Sequence, residues 1–137
     1  MTATPFVLTD VAVTVNAVNL STWCTSATLS IDVDDQETTA FGSTYKTRIG
    51  GLKDWKLDLE FNADFGTSAI DQTLYSLIGT STAVTIKSTS GANSATNPQF
   101  SGNVIVTAYN PIDGGTGDLA KVKVSWPANG ALTRATA

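Results

Sequence analysis

Apolar and polar residues alternate along six segments of the chain, and this two-residue period is its clearest pattern. Such alternation predicts β-strands with one face on a core and the other in water. The segments are 11–16, 27–34, 55–62, 83–88, 99–109 and 119–126. In the clearest of them, apolar residues alternate with Lys56, Asp58, Glu60 and Asn62. The pattern therefore predicts a mainly β fold.

One segment, SAIDQTLYSLIG, has a helical period instead. Its apolar residues are Ile70, Leu74, Leu77 and Ile78, which predict a helix over about 68–78 with one side on the sheets. Ser68 is placed to cap its start, with Asp71 three residues on, and Gly79 to end it. We expect one domain over 1–137, a β-sandwich or partly closed barrel with one flanking helix.

Composition narrows the class of protein. The 137 residues fit one domain, and 42% apolar with 15% charged residues is typical of neither a disordered tail nor a coiled coil. The net charge is −4 without a basic cluster, so the chain lacks the electrostatic footprint of a nucleic-acid binder. Cys24 is the single cysteine, which excludes an intrachain disulfide.

The N-terminal stretch MTATPFVLTD has neither a basic region nor a long apolar run, so no signal peptide is predicted. The apolar runs of the chain are far shorter than the ~20 residues of a membrane helix. We expect a soluble protein that is made in a cytoplasm.

Catalytic and cofactor motifs are missing from the sequence. The absence of histidine excludes Ser/His/Asp and Cys/His chemistry, and no CxxC, P-loop or GxGxxG motif occurs. Asp58 and Glu60 lie two apart on one strand face, as paired carboxylates of a glycosidase could, but no pocket is recognisable around them. Cys24 has no activating partner and is expected to fill buried space. We predict no enzyme and no cofactor.

Two binding alternatives arise from residue type. Asp32, Asp34, Asp35 and Glu37 offer the oxygen ligands that Ca²⁺ prefers, but the spacing lacks the glycine turn and distal Glu of the calcium loop, so no metal site is predicted.

Trp23, Trp55 and Trp126 could form a platform for sugars. Trp55 and Trp126 share the apolar register of their strands and are expected in the core, whereas the place of Trp23 stays open.

Two predicted strands carry long polar faces. The second alternates through Ser30, Asp32 and Asp34, and the third through Asp58 and Glu60. If the strands pair, these side chains form one hydrophilic surface. Such a surface is either an ordinary solvated face or the wall of a water-filled channel in an assembly.

Two segments have few residues that are expected to be buried within the protein. Residues 36–51 are polar and glycine-punctuated, with Phe41, Tyr45 and Ile49 scattered among them, and the ending 127–137 reads PANGALTRATA. Long connections of this kind are usually functional, so both are expected to contact a partner.

Several segments together resemble the major tail tube proteins of bacteriophages with long, non-contractile tails, particularly those of actinobacterial hosts. They are TTAFGSTYKTRIGGLKDWKLDLEFNADF, IDQTLYSLIGTSTAVTIK, SATNPQFSGNVIVTAYNPIDGGTGDLAKVKVSW and GALTRAT, which cover most of residues 38–134.

The resemblance implies a non-enzymatic virion protein with a β-sandwich core. Six copies would form a ring whose inner sheets join into a β-barrel around a lumen, and stacked rings would carry DNA into the host. A long loop, here about 36–51, would reach the adjacent ring. Phe41, Tyr45, Arg48 and Ile49 are then candidates for the contact with a neighbouring copy. Ser30, Asp32, Asp34, Asp58 and Glu60 are candidates for the lumen wall, where acidic groups would keep DNA from binding.

The implied partners are further copies of the chain, a tape-measure protein during assembly, and tail terminator and distal tail proteins. DNA would pass without specific binding, and no membrane is involved. The implied location is the virion tail, assembled in the cytoplasm of the host bacterium. Three alternatives remain: another tail component such as a terminator, a tube of a phage-derived particle, and a carbohydrate-binding β-sandwich used in adhesion.

Overall fold

The fold consists of two antiparallel sheets packed face to face, with one short helix. It is seen in a computed structural model that describes residues 3–137, so the first two residues of the predicted domain lie outside it. The elements are β1 Ala12–Val15, β2 Val18–Asn19, β3 Cys24–Glu37, β4 Arg48–Asn62, α1 Ile70–Tyr75, β5 Ser81–Lys87, β6 Gln99–Ile105, β7 Lys121–Pro127 and β8 Thr133–Ala135. The mainly β class with a flanking helix is confirmed; within the described chain the sheets do not close into a barrel.

The sheets have the strand orders β3-β4-β7 and β2-β1-β5-β6-β8. The core lies between them, because the alternating apolar residues of both sheets point inward. On one side, a single bridge between Val104 and Ala128 joins the two sheets. Fully buried side chains include Val13, Val15, Leu57, Phe61, Val104, Val122 and Trp126.

The hairpin of β3 and β4 is longer than the pattern predicts. Strands were expected over 27–34 and 55–62, but β3 extends to Glu37 and β4 begins at Arg48. Gln36 pairs with Ile49, so the connection without strand structure is 38–47 rather than 36–51. In this added part of the hairpin the strands pair through their backbones, but neither side of the hairpin is buried. Strands without a buried side need no alternation of apolar and polar residues, so the sequence pattern did not predict this part.

The helix is shorter than predicted. It covers Ile70–Tyr75, and Leu77 N–H already bonds back to the Leu74 carbonyl, which tightens the chain into a turn. The predicted cap at Ser68 is wrong: the N-cap is Ala69, without a side-chain hydrogen bond. Ile70 and Leu74 are buried as expected, but Ile78 is exposed.

Gly79 follows the helix with a φ of 81°, a conformation that favours glycine. Its N–H donates to the Val106 carbonyl at 2.7 Å, which fixes the end of the helical segment to the second sheet.

The C-terminal segment is more structured than a tail. Thr133–Ala135 pairs with β6, and the Gly130 carbonyl accepts a hydrogen bond from Trp55 Nε1 at 3.0 Å. Gly102 of β6 leaves room for the same indole, since a Cβ there would lie 2.5 Å from Trp55 Cζ2. The segment therefore covers one end of the core.

The tryptophans divide as expected. Trp55 and Trp126 are buried, which confirms their place in the core. Trp23, which the sequence left open, packs on the rim of the core and donates its Nε1–H to Asp64 Oδ2 at 2.8 Å. Cys24 beside it is only partly buried, so it is a less complete filler than predicted.

No helix within residues 3–137 is long and apolar enough to cross a membrane.

Candidate assembly surfaces

The polar side chains of β3 and β4 form one continuous surface, which we call the polar face. The two strands pair antiparallel, with Ser26 opposite Glu60, Thr28 opposite Asp58 and Ser30 opposite Lys56. On the other side of β4, β7 adds further polar residues: Lys121, Lys123 and Ser125. The apolar residues of the same strands pack in the core, so the three-stranded sheet has one apolar face on the core and one polar face in contact with water.

Two ion pairs lie on the polar face where β4 pairs with β7. Lys121 Nζ lies 3.0 Å from Glu60 Oε1, and Lys56 Nζ lies 3.9 Å from Asp58 Oδ2. The hydrogen bond from Lys121 lowers the pKa of Glu60. A general acid of a glycosidase needs a raised pKa, so Glu60 is poorly suited to that role.

The other end of the polar face is acidic. Asp32 lies directly opposite Asp54, and Asp34 follows on the same side of β3. Directly opposed like charges destabilise a sheet, so this end keeps its carboxylates at a modest cost in stability. No three His, Cys, Asp or Glu side chains within the described chain lie together as metal ligands.

Beyond Trp55, β3 and β4 leave the body of the protein as a two-stranded ribbon, residues 32–54. Trp55 is the last buried residue of β4 in this direction, and β7 pairs with β4 only from Lys56 onward. At about 3.3 Å per residue, the seven residues from Arg48 to Trp55 give the ribbon a length of about 23 Å.

Several large apolar side chains of this ribbon are exposed to solvent. Phe41 and Tyr45, in the connection at its tip, are fully or mostly exposed, and so are Ile49 and Leu52 on β4. The ribbon is held by its backbone ladder, by the hydrogen bond between the Thr38 and Thr47 hydroxyls, and by Arg48 Nε at 3.3 Å from Asp35 Oδ2. A two-stranded ribbon is marginal alone in water, which favours a partner for these side chains.

Part-way along the ribbon, a β-bulge shifts the side-chain alternation of β4 by one residue, while that of β3 continues. Val33 pairs with Lys53 but Asp35 with Gly50, so β4 has one extra residue here. Gly51 stands at the bulge, where a Cβ would lie 3.2 Å from the Asp34 carbonyl oxygen.

Because of the bulge, the residues predicted to contact a neighbour do not all lie on the same side of the ribbon. Ile49 is opposite Gln36 and therefore on the side of the polar face, while Arg48 is opposite Glu37 on the reverse side. Phe41 and Tyr45 lie at the tip. The glycine pair Gly50-Gly51 was the one sequence signal for this reversal.

An apolar cleft lies along β3, on the open side of the sandwich, and sequence reasoning missed it. The cleft has a volume of about 280 Å³ and includes Leu8, Leu29, Ile31, Ile86 and Phe100. Alternation predicts that Ile31 and Val33 point into the core, yet both are half exposed. The second sheet does not extend far enough to cover them.

Solved structures with a similar fold come from a gene transfer agent particle and an extracellular contractile injection system. One similar chain belongs to the virion of a native gene transfer agent particle, with a TM-score of 0.73 and 11% identity, over 91% of this chain and 95% of that one. Another belongs to the sheath/tube terminator structure of an extracellular contractile injection system in its extended state. Its TM-score is 0.71 at 16% identity, over 98% of this chain and 99% of the other. This chain shares their fold.

A third similar chain comes from the tail of an empty gene transfer agent particle with C6 symmetry. Its TM-score is 0.64 at 12% identity, and 81% of each chain is covered. No protein-family model and no curated protein sequence matches the chain. At these identities the likeness establishes the fold alone.

Proposed function

We propose that the chain is a structural tail tube protein, which assembles into stacked rings around a channel for DNA. The observation that carries the proposal is one sheet with two features: a hydrated polar face, and a ribbon of exposed apolar residues that extends from the same strands. The shared fold with chains of gene transfer agent and injection-system particles supports it. In this proposal the protein catalyses no reaction, and it assembles by burying surface between copies.

The polar face forms the wall of the channel. Ser30, Asp32, Asp34, Asp58 and Glu60 are the wall residues that we assign, all on the polar side of β3 and β4. Carboxylates outnumber lysines there, and the lysines that pair with Glu60 and Asp58 are partly neutralised. Phosphates would therefore find few free cations to hold them, and DNA could pass.

The ribbon forms the contact between successive rings. Phe41 and Tyr45 at its tip act as anchors, and Ile49 and Arg48 contact the neighbour on opposite sides of the ribbon. Aromatic residues and arginine are enriched among the residues that dominate binding energy. Burial of these side chains supplies the stabilisation that the isolated ribbon lacks.

Ring closure uses the outer strands of the three-stranded sheet. Within residues 3–137, β3 and β7 each pair on one side only, so both present free backbone groups. Neighbouring copies that pair these edges would form a ring-wide barrel and remove the exposed edges. The ring number of six follows from the resemblance and accords with the C6 symmetry of one similar tail.

The remaining partners follow from the tube itself. A tape-measure protein occupies the lumen during assembly, terminator and distal tail proteins close the two ends, and the location is the virion tail after assembly in the bacterial cytoplasm. The sequence resemblance supports a phage with a long non-contractile tail and an actinobacterial host.

A tail terminator is the second candidate, and the likeness to a chain of a sheath/tube terminator structure supports it. A terminator would stop at a single ring, whereas a tube protein continues to stack. The carbohydrate-binding alternative loses support, because Trp55 and Trp126 are buried and unavailable to sugars.

Selective labelling tests the channel. In a Cys24→Ser background, Thr28→Cys places a thiol in the middle of the polar face, and Ala83→Cys places one on the exposed side of β5. A maleimide attached to a dextran wider than the channel should label both monomers equally. After assembly it should label only Ala83→Cys. Equal labelling of both positions in assembled protein would contradict the proposal.

A further inference from the structure

We propose that residues 107–119, the edge cover, shield the outer edge of β7 in the free protein and move aside when β3 of the next copy pairs there. The inference rests on the proposed function, in which β3 and β7 of neighbouring copies close the ring. It adds a step to that function, because each copy is held back from assembly by a segment of its own chain until the edge cover is displaced.

The edge cover passes around the free edge of β7. One side of β7 pairs with β4, and the other pairs with no strand of the described residues. Near the start of the edge cover, the Ala108 carbonyl accepts a hydrogen bond at 3.0 Å from Nε1 of Trp126, whose indole is buried in the core. Asn110 borders the polar face, in a depression that it shares with Lys123 and Ser125. The segment therefore passes beside β7 from the core side of the sheet to its polar side.

The edge cover then follows β7 towards the first residue of that strand. Asp118 and Leu119 border a second depression together with Lys121 and Lys123, at this end of β7. No backbone hydrogen bond joins the edge cover to β7 within the described chain. The edge cover is thus close enough to obstruct an incoming strand, but it leaves the backbone groups of β7 unpaired. A loop over an edge is one of the means by which proteins prevent unwanted pairing between sheets.

Few contacts hold the edge cover in place. Tyr109 is its one residue that is not exposed, and the Tyr109 hydroxyl donates to Asp71 Oδ1 of α1 at 2.6 Å. This bond and the bond from Trp126 are the two hydrogen bonds that join the edge cover to the body within the described residues. Burial and the Asp71 carboxylate raise the pKa of Tyr109, so its hydroxyl keeps the proton that it donates.

The middle of the edge cover has the composition of a flexible segment. It reads Asp-Gly-Gly-Thr-Gly over residues 113–117, and chains rich in glycine are flexible. Because the two hydrogen bonds to the body lie near its start, the edge cover can leave β7 without unfolding of the core.

β3 of the next copy is suited to take the place of the edge cover. β3 and β7 both run antiparallel to β4, so they are parallel to each other. Rotation about a ring axis along the strands keeps strand direction, and β3 of the next copy would also run parallel to β7. Both strands have apolar residues on the core side and polar residues on the polar face, so their pairing would continue both faces.

A peptide with the sequence of β3 tests the edge cover in the monomer. The peptide covers residues 25–34, carries fluorescein and is titrated with wild type and with Tyr109→Phe. Loss of the hydroxyl removes one of the two hydrogen bonds, so the fraction of molecules with an open edge should rise. The peptide should therefore bind Tyr109→Phe about three- to tenfold more tightly. Tyr75→Phe makes the same change at an exposed tyrosine of α1 and should leave the affinity unchanged.

Two variants of Asp71 show whether the hydrogen bond itself is responsible. Asp71→Asn keeps an oxygen that can accept from Tyr109 and should bind the peptide much as wild type does, whereas Asp71→Ala should bind it as tightly as Tyr109→Phe. Benzoylphenylalanine in place of Leu29 of the peptide should cross-link to residues 121–127. Equal affinity of wild type and Tyr109→Phe, binding by neither protein, or cross-links that miss β7 would each overturn the edge cover.

The onset of assembly separates this inference from the proposed function. Light scattering of the concentrated protein should show a shorter lag for Tyr109→Phe than for wild type, whereas loss of a contact that the tube needs would lengthen the lag. Hollow tubes that form with an equal or longer lag would overturn the edge cover alone. Tighter peptide binding by Tyr109→Phe, in protein that forms only solid filaments, would support the edge cover and overturn the tube.

Discussion

Trp55 marks the boundary between the folded body and the ribbon. Its indole is buried, donates to the Gly130 carbonyl before β8 and lies against Gly102 of β6. The residues before it on β4 have no such cover. Trp55 is thus the last residue of β4, in the direction of the ribbon, that is buried within the chain.

Gly102→Ala should destabilise the body of the protein. The added Cβ would lie 2.5 Å from Trp55 Cζ2 and 3.0 Å from the Ala131 carbonyl oxygen, and a packed core has no room to move both. We expect a loss of about 1–3 kcal/mol in the free energy of unfolding, measured in urea. Gly50→Ala is the matched control, since its Cβ would meet only Val33 Cγ1 at 3.6 Å, an ordinary contact. Equal stability of both variants would contradict this packing.

Asp64 should make stability depend on pH in the acid range. The Gly66 N–H and the Trp23 Nε1–H both donate to its carboxylate, at 2.9 and 2.8 Å, and lower its pKa. A depressed pKa contributes stability above the unfolded value of about 3.9, and this stability is lost as pH falls through the folded pKa.

Asp64→Asn replaces one of the two accepting oxygens with an NH₂ group, which cannot accept a hydrogen bond. The variant should therefore have a lower free energy of unfolding at neutral pH, and this free energy should depend less on pH in the acid range. Asp113→Asn, which makes the same substitution at an exposed carboxylate, is the matched control. If the free energy of unfolding depends on pH in the same way for wild type and Asp64→Asn, the two hydrogen bonds to Asp64 do not contribute to the pH dependence of stability.

Among the elements, the β3–β4 hairpin shows best what a sequence pattern can predict. Residues 55–62 were predicted because one face packs on the core, which demands an apolar residue at every second position. Residues 48–54 escaped prediction because neither face is buried, and β8 because a three-residue edge strand leaves little pattern. Polar residues on β3 and β4 could be placed on one face in advance. The apolar cleft could not, since it depends on how far the second sheet extends, and the Gly50-Gly51 pair alone did not distinguish a bulge from a turn.

Phe41→Ser with Tyr45→Ser should separate assembly from folding. Both side chains are exposed at the ribbon tip, so the free energy of unfolding should change by less than about 0.5 kcal/mol. Self-association, measured by sedimentation velocity at rising concentration, should be lost. Tyr75→Ser removes another exposed aromatic, at the end of α1, and should leave association unchanged. If both variants associate like wild type, the ribbon is not the contact between copies.

For the whole molecule, the two sheets have different tasks in this account. The five-stranded sheet and the helix complete the core. In the proposed tube, the three-stranded sheet would provide the channel wall, the edges that close the ring and the ribbon that joins rings. Low overall charge is consistent with a molecule whose surface is mostly covered by copies of itself.

Asp58→Lys with Glu60→Lys should slow the passage of DNA through assembled tails. The change makes the channel wall cationic, and cationic side chains hold phosphates through counterion release. Release of DNA from particles, followed by dye fluorescence, should be slower at low salt and recover at high salt. Asp58→Asn with Glu60→Gln removes the same carboxylates without adding cations and should release DNA almost as wild type does. Unchanged release in the lysine variant would remove these residues from the wall.

The most direct test of the central claim is electron cryomicroscopy of the concentrated protein in a salting-out buffer, which favours burial between copies. The expected result is hollow tubes of stacked rings, with the polar face of β3, β4 and β7 around the channel and the ribbon between rings. Solid filaments, or tubes whose channel is lined by the five-stranded sheet, would contradict it.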